Sequence, residues 1–356
     1  MIKETKFLGL GGAGSKLVNE LYNINHSANI GFINSNANEM KILNNYTPSN
    51  GLFIDGNGTG RNRQKAMESL KASKEKILNF VEEDTGKYTT YVIITSLDGG
   101  FGSGSFPMVS KLIKNINIRY NYNVDVNLIG VVPKNNSRKI NLNNTLTAYS
   151  DIVNLKNSGI INSYQFINNN KMIKEKEFNT EIMDLINKSY TINNNELDLN
   201  DAKLINSTIG YKMVLELDKS FSGKLSDAIN YSFANSCFLV PKNIGRCKKF
   251  GCSFVEDDFD KNEVLDKFNI TEFDKEDYND NDMNLIVMGG MSDPIEYFKN
   301  LEDIYNSKED EIDELEEYIP KVKSYEKQKT NIKVKEEIQP KKLTKKDLRN
   351  MIDDLW

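Results

Sequence analysis

Asp98-Gly-Gly-Phe-Gly-Ser-Gly-Ser105 decides how this chain is read. Tyr91-Val-Ile-Ile-Thr95, just before it, is a short β-branched apolar run, the pattern of a buried strand. Phe106 to Lys114, just after it, reads as a helix with Pro107 near its first turn. A strand, a glycine turn and a helix in that order gather backbone N–H groups at a helix N-terminus, where an anion is held. Gly99, Gly100, Gly102 and Gly104 let the backbone approach a ligand with no Cβ in the way. Alone, the stretch also reads as a flexible loop, because glycine clusters are common loop punctuation.

A second such turn, Phe7-Leu-Gly-Leu-Gly-Gly-Ala-Gly-Ser-Lys16, lies between a strand at Thr5–Leu10 and an amphipathic helix from Ser15 to Tyr22. In a parallel α/β sheet both turns point at the same rim, the ligand-binding edge of such folds. One would hold the first phosphates of a nucleotide and the other the terminal ones. A third loop, Gly56-Asn-Gly-Thr-Gly-Arg-Asn62, opens a further helix, and Arg61 is either a phosphate contact or a solvated turn residue. Two familiar explanations fail. Gly9-x-Gly11-x-x-Gly14 matches the dinucleotide fingerprint, but Asn34 and Asn36 stand where that fingerprint needs a ribose-binding acid. The same turn ends Gly14-Ser15-Lys16, whereas a P-loop needs Gly-Lys-Ser/Thr. An NAD-dependent oxidoreductase therefore stays only as a contrasting hypothesis.

The chain has 356 residues, enough for two domains with their own cores, and is 38% hydrophobic and 27% charged. No apolar run approaches the ~20 residues of a membrane span, and no secretory segment opens the chain, so the cytoplasm is the expected compartment. Cys237, Cys247 and Cys252 are too scattered for a disulfide framework or a zinc site, and His26 is the only histidine. Histidine-based catalysis is thereby disfavoured, leaving carboxylates, backbone amides and a metal for any hydrolysis. The net charge of −5 hides an asymmetry: Lys321–Trp356 carries 11 basic and 6 acidic residues, net +5, so the first 320 residues carry −10. A basic tail on an acidic body predicts a separate partner for the tail.

Along the chain, short apolar runs at Thr5–Leu10, Ile30–Asn34, Leu52–Asp55, Tyr91–Thr95, Val126–Val132 and Tyr164–Ile167 alternate with helical stretches, the pattern of a parallel sheet covered on both faces. The first domain is expected over 1–170. A connecting helix, Lys171–Asn187, and an acidic stretch, Glu196-Leu-Asp198-Leu-Asn-Asp201, fill 171–205. A smaller α+β domain is expected over 206–290, with strands at Cys237–Val240 and Asn284–Met288 and an acidic surface or loop from Glu256 to Asp282. Ser292-Asp-Pro294 should start a long helix to about Tyr318, within 291–320. The remainder, 321–356, reads as a flexible tail ending in an amphipathic segment, Leu343–Trp356, suited to docking.

Taken together, these residues resemble the tubulin/FtsZ superfamily of GTPases over about residues 5–215. Phe7–Ser15 is similar to that family's first glycine loop, Asn34-Ser35-Asn36 to the Asn-Thr-Asp after its second strand, and Asp98–Gly104 to its G-G-G-T-G-[ST]-G phosphate loop. Glu196-x-Asp198-x-x-Asp201 is similar to Asn-x-Asp-x-x-Asp, and Ile209-Gly-Tyr211 follows it. The chain departs from the pattern at Asp98 for glycine, Phe101 for threonine and Glu196 for asparagine. The resemblance implies a Rossmann-like GTP-binding domain, a connecting helix and a smaller second domain. It implies nucleotide contacts from Gly11, Gly12, Ala13, Gly14, Ser15, Asn34, Ser35, Asn36, Gly60, Arg61, Asn62 and Asp98. The same role extends to Gly99, Gly100, Phe101, Gly102, Ser103, Gly104, Pro133, Arg138, Phe178 and Asn179, with GTP/GDP and Mg²⁺ as ligands and no direct metal ligand assigned. It further implies that Asp198 and Asp201, with Glu196, complete the site of the next subunit in a head-to-tail filament. The C-terminal helix and basic tail resemble the TubZ branch, which segregates plasmid or phage DNA. That branch implies a TubR-like, DNA-bound adaptor as partner, met by Lys341, Lys342, Lys345, Lys346, Arg349 and Trp356, and no membrane. The alternative is an FtsZ-like division or phage-centring role.

Overall fold

The computed structural model describes residues 1–54, 58–191, 199–221, 224–242, 246–255, 259–268, 275–277 and 283–308. In chain order the first half runs β1 (Thr5–Leu10), α1 (Gly11–Ile24), β2 (Asn29–Asn34), α2 (Ala37–Lys41), β3 (Gly51–Phe53), α3 (Arg63–Ala72), α4 (Lys74–Glu82), β4 (Thr90–Ser96), α5 (Phe101–Arg119), β5 (Asp125–Val132), α6 (Lys139–Asn157) and β6 (Ser163–Asn168). The second half runs α7 (Glu175–Tyr190), α8 (Leu199–Asn206), β7 (Gly210–Glu216), α9 (Leu225–Asn235), β8 (Lys249–Ser253), α10 (Lys261–Lys267), β9 (Lys275–Asp277), β10 (Leu285–Met291) and α11 (Ile295–Ser307).

Among the described residues the strands form one sheet in the order β3-β2-β1-β4-β5-β6-β7-β10-β8-β9. Pairing is parallel from β3 to β7, and β10 then pairs antiparallel with both β7 and β8. The six strands expected in the first half all form, shifted by a residue or two at their ends. Their near-continuous burial follows from helices on both faces. Leu8, Leu10, Tyr91 and Ile93 face one apolar cluster, while Phe7, Val92 and Ile94 face the other. Each large side chain so buried contributes roughly 1.5–3 kcal/mol. Among the described residues no helix is long and apolar enough to cross a membrane.

Several expectations are corrected. Both glycine turns are the first turns of helices: α1 begins at Gly11 rather than Ser15, and α5 at Phe101 rather than Phe106. Pro107 consequently lies inside α5. Cys237–Val240 forms no strand; it makes one bridge, Ile167↔Phe238, along the stretch of β6 that β7 leaves unpaired. Pro241, which has no N–H to donate, follows directly. The stretch from Glu256 to Asp282 is not all solvated loop, since α10 lies within it and buries Val264 and Leu265, with Phe268 behind them. The connecting helix, α7, runs three residues later than expected at its C-terminus and leaves Ile173 95% exposed. Ser292 and Asp293 do not cap α11, whose first flank is Pro294. Asp293 instead accepts from the hydroxyls of Tyr149 (3.0 Å) and Tyr164 and lies 3.5 Å from Lys156 Nζ. Leu301 packs with Leu142 and Leu146 of α6, so the helix does dock through its apolar stripe. The expected continuation beyond residue 308, and the tail with Lys341, Lys342, Lys345, Lys346, Arg349 and Trp356, lie outside the described residues.

Candidate nucleotide site

The N-termini of α1 and α5 follow directly on β1 and β4, which are neighbours in the sheet. Their glycines are needed because the two turns touch. A Cβ on Gly102 would lie 2.2 Å from Thr95 Oγ1 and 2.8 Å from the Leu10 carbonyl, and one on Gly14 only 2.0 Å from the Ile94 carbonyl. Gly11 has φ +70° and borders the Gly102 amide. Two helix N-termini, each with unsatisfied N–H groups and the positive end of a dipole, therefore lie side by side at the carboxyl edge of the sheet. The Ser15 hydroxyl is buried nearby and has no hydrogen-bond partner among the described residues.

Thr59, Arg61 and Asn62 of the third loop form another wall. A Cβ on Gly100 would lie 2.3 Å from Thr59 Oγ1 and 2.7 Å from Arg61 Cα. Asn62 accepts from the Lys65 N–H at 3.0 Å and so caps α3. Arg61, at φ +67°, donates from NH1 to Asn141 Oδ1 at 3.1 Å. Asn141 in turn donates to Asp98 Oδ2 at 2.7 Å, and Ser96 Oγ donates to Asp98 Oδ1. Asn144 donates to the carbonyls of Arg61 (2.8 Å), Asp98 (3.2 Å) and Gly99 (3.3 Å). Below them Arg63 pairs with Asp151 and donates to the Asn144 carbonyl at 3.0 Å. Burial pulls the Arg63 guanidinium below its usual pKa, with Asp151 pushing the other way, and burial also raises the Asp151 carboxyl against that same attraction.

The remaining expected contacts divide. Gly12, Ala13, Gly60 and Gly99 through Gly104 lie in the converging turns or their helix starts, and Ser103 Oγ donates to the Gly99 carbonyl. Phe101, in the threonine position, is buried in the core. Asn34 and Asn36 organise their own turn: Asn36 caps α2, Asn34 donates to Glu39 Oε2 at 2.9 Å, and Ser35 is buried. Pro133 accepts from the Tyr297 hydroxyl at 3.1 Å, and Arg138 is exposed just before α6. Phe178 is buried in the cluster that also holds Leu17, Val18 and Leu21, with Asn179 half-buried beside it on α7. Sequence reading missed Thr59, Glu39, Asn141, Asn144 and the Arg63–Asp151 pair. The signal was there only as asparagines at i and i+3 opening a helix, in a chain rich in asparagine.

Glu196 and Asp198 lie outside the described residues; Asp201 lies in α8. α8 sits at the end of the sheet where β5, β6 and β7 begin. Ser163 Oγ donates to the Asn206 carbonyl at 2.6 Å, Gly210 N to the Asn162 carbonyl at 3.1 Å, and Lys203 Nζ is 3.4 Å from Asp125 Oδ2. The glycine turns leave the opposite ends of the neighbouring parallel strands. A strand of eight residues such as β5 spans about 25 Å. Within one chain, the two features stand at opposite ends of the sheet.

No protein-family model matches the chain. A tubulin-like protein TubZ of Clostridium botulinum C phage is 25% identical over 181 residues, 51% of this chain and 49% of the relative, so the chain matches about half the length of that curated relative. The solved TubZ of C. botulinum phage c-st, with its C-terminal tail truncated, superposes with a TM-score of 0.76 at 20% identity, covering 86% of this chain and 97% of that one. A GTPγS-form protofilament of Bacillus thuringiensis serovar israelensis TubZ gives 0.69 at 15% identity, over 85% and 90%. An empty FtsZ dimer from M. jannaschii gives 0.62 at 18%, over 81% and 88%. The chain has the tubulin/FtsZ fold, as the resemblance of its glycine turns implied.

Proposed function

We propose that this tubulin/FtsZ-fold chain, with TubZ-like sequence over half its length, is a GTPase that assembles head to tail and hydrolyses GTP only between subunits. The observation that carries this reading is the separation of the glycine cradle from α8. Backbone amides at two adjoining helix N-termini suit the phosphates, and the Ser15 hydroxyl adds an uncommitted buried donor. Water activation needs a carboxylate, and the expected one, Asp201, is on the helix at the far end of the strands. A second copy stacked along the strand direction brings its α8 to the first copy's cradle. Positioning and charge stabilisation are most of what phosphoryl transfer requires. The nucleotide and protofilament named for the B. thuringiensis relative lend support to guanine as the base and self-association as the assembly.

Mg²⁺ would be carried mainly by the nucleotide's own phosphates, as is usual for this ion. The described residues include no cluster of three acidic, histidine or cysteine ligands, and both Asp98 oxygens already accept hydrogen bonds. The net +5 of Lys321–Trp356 suits a DNA-bound adaptor as cargo link, hence DNA segregation. The deciding experiment is GTP turnover per molecule against protein concentration. A steep rise above a threshold, lowered about 100-fold or more by Asp201→Ala with GTP binding intact, is expected. Constant turnover per molecule at dilutions too low for contact refutes hydrolysis between subunits.

A further inference from the structure

Asp98 occupies the place in the glycine cradle where a negative charge is least welcome beside an anion. The structure turns it away. Its two carboxylate oxygens accept from Ser96 Oγ and from Asn141 Nδ2, on α6. That contact orients the Asn141 amide. With its NH₂ toward the carboxylate, its oxygen faces outward and accepts from Arg61 NH1 at 3.1 Å. The flipped amide would set oxygen against carboxylate and NH₂ against guanidinium, two repulsions in place of two hydrogen bonds. The backbone beneath Arg61 is held as well, by Asn144 on its carbonyl and by the close approach of its Cα to Gly100.

We propose that Asp98 and Asn141 are positioning residues that aim the Arg61 guanidinium at the terminal phosphate of a nucleoside triphosphate, so that the chain distinguishes tri- from diphosphate; this rests on the nucleotide-binding reading above. Arg61 forms the wall beside Gly100, at the N-terminus of α5, while α1 offers its amides from the neighbouring strand. A guanidinium has five donors in a fixed fork, and Asn141 engages one nitrogen. The aspartate that departs from the family's glycine thus serves to place a cation in the same subunit's site, with no metal ligation by Asp98.

The test is the affinity of the full chain for fluorescent GTP and GDP analogues, measured below the assembly concentration. Arg61→Gly is the first variant because glycine keeps the positive φ without strain. It is expected to weaken GTP about tenfold and GDP less than twofold. Asn141→Ala should reproduce part of the GTP-selective loss, and the double variant should lose no more than Arg61→Gly alone, since both act through one guanidinium. Arg61→Lys, which lacks the planar fork, should restore selectivity only in part. Equal losses for GTP and GDP, or losses that simply add, overturn the proposal. Asn141 is buried, so thermal unfolding is measured alongside; if Asn141→Ala does not fold, the exposed Arg61 position decides alone. A wild-type chain that binds neither nucleotide overturns both readings, whereas an unchanged GTP-to-GDP ratio overturns this one only.

Discussion

The two ends of the parallel strands handle buried charge in opposite ways. At the glycine cradle the partly buried charges have counterparts: Arg63 meets Asp151, and Asp98 is linked through Asn141 to the exposed Arg61. At the α8 end, Lys212 is fully buried, and its partners among the described residues are neutral. Its Nζ donates to Asn206 Oδ1 and to Ser189 Oγ (3.3 Å), and it lies 4.5 Å from the centre of the Tyr190 ring. The acid on that seam, Asp125, is engaged by Lys203. The cradle's carboxylates and cations are thus linked to one another, while the seam beneath α8 holds a lysine that burial brings down to about 7. The lesson is that the pH response of a polar region depends both on how deeply a charge is buried and on whether its partner carries charge.

The contrast can be broken at four points. The largest effect is expected from Gly14→Ala, whose new Cβ would meet the backbone oxygen of Ile94 and cannot be relieved by a side-chain rotation. A loss of more than about 3 kcal/mol in urea unfolding is expected, the upper end of overpacking; a loss under 1 kcal/mol would mean that the turns do not pack so closely. Next is Arg63→Ala, which strands Asp151. Because that carboxylate keeps 33% of its side chain exposed, the expected cost is about 3 kcal/mol, the low end for a broken buried pair. Arg63→Met with Asp151→Leu should recover most of it, and no recovery would argue against a charge effect.

Third is Lys212→Met, read as stability against pH. A lysine near 7 in the native chain and at its ordinary value when unfolded means that the unfolded state binds the extra proton between those values. Stability therefore suffers the full burial penalty below pH 7 and rises from pH 7 towards 10, by up to about 1.4 kcal/mol per pH unit. The methionine variant should flatten that rise in chemical-denaturation curves; an unchanged slope places the titrating group elsewhere. The smallest effect belongs to Asn62→Ala, which removes the α3 cap and should cost about 1 kcal/mol with no change in pH slope.

Much of the cradle was legible because its features are local. Strands β1, β2, β4, β5 and β6 announce themselves by apolar β-branched runs, and the turns by glycines that steric crowding demands. The second half was harder. β7 carries a lysine in mid-strand, β8 and β9 are short and begin with lysines, and the strand read at Cys237–Val240 exists only as a bridge because it borders a stretch of β6 that β7 leaves unpaired. Asp293 looked like a helix cap and instead joins two tyrosine hydroxyls on α6 and β6.

What the amino-acid order determined by itself was the succession of strands, glycine turns and helices, since backbone sterics and side-chain periodicity act over a few residues. Tertiary structure alone decided which asparagines engage Asp98 and Arg61, whether Lys212 has a charged partner, and that α8 stands at the far end from the cradle. Those outcomes depend on groups brought together from tens of residues apart, and no local pattern specifies which of many similar side chains will meet.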